Sequence, residues 1–129
     1  MVKSAALDTN IAIHILNDDR TFIKKISKIP VLYLPVTVEG ELLFGAINSG
    51  KAIKNLKAFR EFIFSCPVLN INSSVADEYA AIRKQLKDDG KPIPENDIWI
   101  AATCKVYQLP LATLDKHFRY IKGLNLIKI

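Results

Sequence analysis

The chain has 129 residues, half of them apolar and 24% charged, which fits one compact domain over 1–129 and excludes a disordered chain. No apolar stretch approaches the ~20 residues of a membrane span, and "MVKSAALDTN" holds no long apolar export segment, so a cytoplasmic protein without a membrane partner is expected. The net charge of +5, from 18 basic and 13 acidic residues, suits a polyanionic partner or simply a soluble basic surface.

In chain order, "KSAAL" reads as a short buried strand and "NIAIHIL" as a short helix. A second helical piece, "DRTFIKKISKI", runs up to Pro30. "VLYLP" has the composition of a strand. "TVEGELLFGAI" follows as a helix, with Thr37 as its expected N-cap. From Lys51 to Ser65, Ile53, Leu56, Phe59 and Ile63 recur at helical spacing. "PVLNI" is the next strand. Ser74 is then the expected cap of a helix whose Val75, Tyr79, Ile82 and Leu86 share a face and which Gly90 ends. After the loop "GKPIPEN" come the apolar helix "NDIWIAATCKVY", the strand "LPLAT" and a last strand, "LNLIKI". Strands alternating with helices predict an α/β fold, with a mostly parallel sheet of about four to five strands flanked by helices on both faces.

Four acids fall beside apolar chain, where an unpartnered carboxylate is costly. Asp8 closes the first strand, Glu41 follows the second, Asp97 opens the apolar helix and Asp115 follows "LPLAT". Each has a plain structural use. Asp8 could be a helix cap, Asp97 a first-turn partner of the helix dipole, Glu41 a solvated side chain and Asp115 a turn residue. Taken together, all four belong at the C-terminal edge of a parallel sheet, where sites form. Four carboxylates there predict a divalent cation held by oxygen, Mg²⁺ or Mn²⁺. Glu39, two residues before Glu41, should face another way and be the more exposed.

The four neighbourhoods "LDTN", "VTVEGELLFGA", "PENDIWIAATC" and "LATLDKHF" occur in this order from Ala6 to Phe118. Together they resemble the PIN-domain family, specifically the VapC-type toxins of toxin–antitoxin pairs. The resemblance implies a metal-dependent endoribonuclease with Asp8, Glu41, Asp97 and Asp115 as catalytic metal ligands. It makes Thr9 and Thr113 hydroxyl helpers near metal or phosphate, and Asn10 and Asn96 supporting groups. It also implies a homodimer and a cognate antitoxin that covers the site.

The chemistry expected is in-line attack on an RNA phosphodiester by a water that the metal activates, leaving a 5′-phosphate and a 3′-OH. Lys116 and Arg119, which flank Asp115, are the candidate contacts to the RNA backbone. The stripe Lys51, Lys54, Lys57 and Arg60 and the cluster Arg83, Lys84 and Lys87 read first as solvated faces. Tyr33, Tyr79, Tyr107, Tyr120 and Trp99 form no stacking motif, and Trp99 is expected in the core or an interface.

No Ser-His-Asp set, Cys-His set or Gly-rich phosphate loop is present. Cys66 and Cys104 are expected as reduced, partly buried thiols, and with His14 and His117 they do not readily make a zinc site. A dehalogenase-type phosphatase would need a second Asp where Asn10 stands, and a receiver domain an acidic neighbour for Asp8. The remaining alternative is a PIN-like domain that binds RNA or protein without catalysis.

Overall fold

The computed structural model describes residues 2–127 and residue 129. Five parallel strands form one sheet, in the order β3-β2-β1-β4-β5. They are β1 (Ser4–Leu7), β2 (Val31–Pro35), β3 (Val68–Leu69), β4 (Leu111–Ala112) and β5 (Leu126–Ile127). Six α-helices connect them: α1 (Thr9–Leu16), α2 (Arg20–Ile26), α3 (Val36–Ile47), α4 (Ala52–Phe64), α5 (Ser73–Asp88) and α6 (Glu95–Val106). A 3-10 turn, Lys116–Tyr120, lies between β4 and β5. The expected α/β fold and its element order therefore hold. The expected strand over "LNLIKI" is reduced to Leu126–Ile127, and Lys128 lies outside the described residues.

β1 is the hinge of the topology. Its Ala6 pairs with Tyr33 of β2 on one side and with Leu111 of β4 on the other. The chain steps outward from β1 to β2 to β3, then returns past β1 to reach β4. With right-handed crossovers, α1–α4 cover one face and α5–α6 the other. The reversal between β1 and β4 opens a crevice at their C-terminal ends, the usual place for a site in such sheets.

The sequence explains this layering. β1 is buried at Ala5, Ala6 and Leu7, as a strand covered on both faces must be. Leu34 of β2, Leu42 of α3, Ile100 of α6, Leu111 of β4 and Phe118 of the 3-10 turn are fully buried in the same core. Both cysteines are free and buried; burial pushes the Cys104 thiol up to about 12, so neither is set up as a nucleophile.

The caps differ from expectation at two helices. α3 begins at Val36, directly after Pro35, and no side chain caps it, so Thr37 lies inside its first turn. The reason is that β2 runs straight into the helix with no connecting residue. α5 is capped by Asn72 rather than Ser74: Asn72 Oδ1 accepts from the Val75 N–H over 3.0 Å. Asn72→Ala is therefore expected to cost about 1 kcal/mol in a denaturant melt and Ser74→Ala at most a few tenths. Equal costs would restore Ser74 as the cap. Gly90 does end this segment, at φ +66°, a conformation that residues with a Cβ adopt reluctantly.

Candidate active site

Asp8 follows β1 directly, and its backbone N–H continues the ladder by donating to Ala112 O of β4 over 3.0 Å. Its two carboxylate oxygens divide the work. Oδ1 accepts from the Thr9 N–H over 2.8 Å and caps α1. Oδ2 accepts from Thr113 Oγ1 over 2.6 Å and from Asn10 Nδ2 over 3.3 Å. The helix-cap and site readings of Asp8 are thus compatible, because each uses a different oxygen.

Thr113 also accepts from the Asp115 N–H over 3.0 Å. That contact occupies a lone pair and turns the hydroxyl proton toward Asp8. Asn10 in turn accepts from the Leu114 N–H through Oδ1 over 3.2 Å. Thr113 and Asn10 therefore tie the loop after β4 to the end of β1. Thr113→Val should cost about 1–2 kcal/mol of stability by removing both partners, and Thr113→Ser should recover most of it. A valine variant as stable as the parent protein would count against this role.

Glu41 stands in the second turn of α3, which starts at Val36. Its Oε1 is buried without a hydrogen-bond partner, and so is the Thr9 hydroxyl oxygen. Thr9 is near enough to favour the charged Glu41, yet it acts as a nearby dipole rather than as a made bond. Glu39 and Glu41 are both half-buried as residues; the buried orphan oxygen is what distinguishes Glu41.

Asp97 lies in the first turn of α6, as expected, and its Oδ2 accepts from His117 Nε2 over 2.7 Å. Ligand atoms of Asp97, Asp115 and His117 all lie within 4.8 Å of one another. Asp115 is exposed and opens the 3-10 turn, three residues beyond the end of β4.

The electrostatics join the four acids. Burial raises the Asp8 pKa most, against the Thr113 and Thr9 bonds, and the charges of Asp97 and Asp115 raise it further. Burial also raises Glu41, and Asp8, Asp97 and Asp115 add to the effect. Asp97 is raised by burial and by Asp115, against the contact with His117. Such mutual repulsion around a buried, unpartnered carboxylate oxygen is what a bound cation would relieve. The donors are mainly carboxylate oxygens, which suit a hard divalent ion.

His117 is the residue that sequence reasoning missed as part of this site. The motif "TLDKHF" places it two residues past Asp115, and the 3-10 turn brings its ring to Asp97. Asn96 is exposed and makes no hydrogen bond to any of the four acids. Lys116 is exposed beside Asp115, whereas the Arg119 guanidinium lies 5.4 Å from the centre of the Tyr120 ring. The α4 cations are exposed, and Lys84 of α5 is paired with Asp88 at 2.8 Å. Trp99 is half-buried and stacks on Tyr79.

Known proteins share this chain's sequence pattern and fold. Ribonuclease VapC1 of Haemophilus influenzae strain R2866 is 29% identical over 124 residues, 92% of either chain. The structure of VapBC-1 from nontypeable Haemophilus influenzae superposes with a TM-score of 0.88 at 26% identity, over 97% of both chains. DNA-bound VapBC from Salmonella typhimurium gives 0.85 at 25% identity, over 98% of both. VapBC2 from Rickettsia felis, at 23% identity and a TM-score of 0.86, shares the fold. The model of the PIN domain matches residues 5–124, nearly the whole chain, which therefore belongs to the PIN domain family.

Proposed function

We propose that the protein is a divalent-metal-dependent endoribonuclease, the toxin of a toxin–antitoxin pair. The observation that carries this reading is the grouping of Asp97, Asp115 and His117 ligand atoms within 4.8 Å, close enough to Asp8 and Glu41 for the acids' charges to raise the pKa of both, with Glu41 Oε1 buried and unpartnered. Its relatives named as VapC ribonucleases and VapBC complexes support the same reading.

In this reading Asp8, Glu41, Asp97 and Asp115 hold Mg²⁺ or Mn²⁺. The ion, when bound, lowers the pKa of a water and offsets charge that builds on the scissile phosphate. The chain's own residues supply the geometry. Thr113, the Thr9 N–H and Asn10 orient Asp8, and His117 holds Asp97 in place. Thr9 leaves its buried hydroxyl oxygen for the ion's shell or the substrate phosphate. Lys116 and Arg119 flank Asp115, where the RNA backbone would lie, and Asn96 stands exposed beside Asp97. In this reading the protein acts in the cytoplasm, on the RNA of the cell.

The partners are an antitoxin protein and a second copy of the chain. Phe44, Ile47, Ile53 and Phe64 on α3 and α4 are exposed by 61–94% and offer apolar surface for such contacts.

The test is incubation of total cellular RNA with the purified protein and Mg²⁺ or Mn²⁺, beside EDTA and Asp8→Asn controls. Discrete fragments with 5′-phosphate ends, absent from both controls, are expected. RNA binding without cleavage would turn the assignment to a non-catalytic binding domain. A 2′,3′-cyclic phosphate end would overturn direct attack by water.

A further inference from the structure

Beyond the acidic cluster, a cavity of about 430 Å³ lies between the second half of α5 and the start of α6. Its floor is apolar, formed by the buried side chains of Leu86 and Ile98, and Ile93 closes one side. One wall is the Tyr79 ring, which is fixed by stacking on Trp99 at 3.9 Å and 13°. Arg83 and Lys87, one turn apart on α5, put two cations at its rim. Glu95 is the one acid there, and it is already engaged, bonded to the Tyr79 hydroxyl and 3.7 Å from Arg83. Lys87 has no ion pair among the described residues.

An apolar floor with cations at the rim suits a nucleotide. The base would lie against Leu86, Ile93 and Ile98, and the phosphate would meet Lys87 and Arg83. A carboxylate side chain would satisfy the rim and leave the floor bare. The position fits as well. Glu95 and Ile98 share the first turn of α6 with Asp97, but residues 95 and 97 face different ways, so the pocket and the acidic cluster flank that turn from different sides. A single strand with one phosphate at the acids would carry a neighbouring base around this turn, and unstacked bases are what proteins read in single-stranded RNA.

We propose that this pocket is a specificity subsite that takes a base of the RNA strand beside the scissile phosphate, with Arg83 and Lys87 holding the adjoining phosphate. The proposal rests on the ribonuclease reading for its biological use, but pocket occupancy can be measured without cleavage. Trp99 is the only tryptophan, and it is stacked on the pocket wall, so its emission reports directly.

The experiment titrates the intact protein with the four nucleoside 5′-monophosphates, ribose 5-phosphate, inorganic phosphate and an acidic peptide, reading Trp99 fluorescence. A saturable response to at least one nucleotide, stronger than to ribose 5-phosphate, is expected. The double variant Arg83→Ala/Lys87→Ala should weaken it by about tenfold or more, which is about 1.4 kcal/mol. Asp8→Asn should leave it in place. In cleavage assays the same double variant should raise KM more than it lowers kcat, and should relax the base preference at one position near the cut.

Equal responses to nucleotide and ribose 5-phosphate would overturn a base-reading pocket. A response to the peptide alone would give the pocket to a protein partner and overturn the proposal. Wild-type cleavage with no nucleotide response, and an unchanged base preference in the double variant, would overturn it while the nuclease reading stands. Nucleotide binding lost in the double variant, in a protein that cuts no RNA, would uphold the pocket and overturn the nuclease.

Discussion

Asp8→Asn is expected to reduce metal-dependent RNA cleavage by about three orders of magnitude, because a bound cation contributes several kcal/mol to stabilising charge in the transition state. The substitution keeps the shape of the side chain and one oxygen, so the cap on α1 through the Thr9 N–H survives. What it removes is the negative charge at the point where β1, β4 and α1 meet, together with the Oδ2 acceptor that Thr113 and Asn10 bond to. The folded protein should persist, because relief of a buried charge among like charges works against the loss of the Thr113 and Asn10 bonds. Cleavage rates and melting curves on the same preparation decide the matter. An Asp8→Asn protein that cuts RNA at more than a tenth of the parental rate would remove Asp8 from the metal site. One that is inactive because it is unfolded would leave Asp8 with a structural role only.

The second expectation concerns pH and metal together. Asp8, Glu41 and Asp97 all have pKa values raised above their ordinary 3.8 or 4.5 in the folded, metal-free protein. Between those ordinary values and the raised ones, the folded state binds more protons than the unfolded chain. Stability must then fall as pH rises through that window and recover as pH drops. Metal-free protein should accordingly melt higher near about pH 5 than near about pH 7.5. Saturating Mg²⁺ or Mn²⁺ should lift the neutral-pH melt, by about 2.7 kcal/mol at a hundredfold excess over Kd. It should also flatten or reverse the pH slope, because the ion favours the charged carboxylates. Thermal melts across this range in EDTA and in millimolar metal test both parts. A slope of the same sign and size in the two conditions would separate the acids from any cation.

Much of this was legible in the sequence, for identifiable reasons. The alternation of strands and helices followed from runs such as "VLYLP" and from the periodic face Val75, Tyr79, Ile82 and Leu86, because burial imposes those patterns directly. The acids stood out because charge beside buried chain needs a partner. The caps were harder to read. Thr37 and Asn72 are decided by where the preceding strand or loop releases the backbone, and composition does not record that. His117 escaped because its contact with Asp97 spans 20 residues and depends on a 3-10 turn that no periodicity announces. The pocket between α5 and α6 escaped too. Arg83 and Lys87 look like an ordinary solvated row until α6 and Ile93 are packed beside them.

The place of β1 in the sheet also sets the order in which the molecule can come together. Its pairing with β2 joins segments close in the chain, but Thr113 reaches Asp8 across 105 residues. Closing so large a loop is slow and comes after local pairing. During synthesis, Asp8 and Glu41 emerge long before Asp97 and Asp115, so the repelling carboxylates stay apart until β4 docks against β1. The interval between the first and last of these acids spans most of the chain, and throughout it the growing polypeptide holds no assembled cluster.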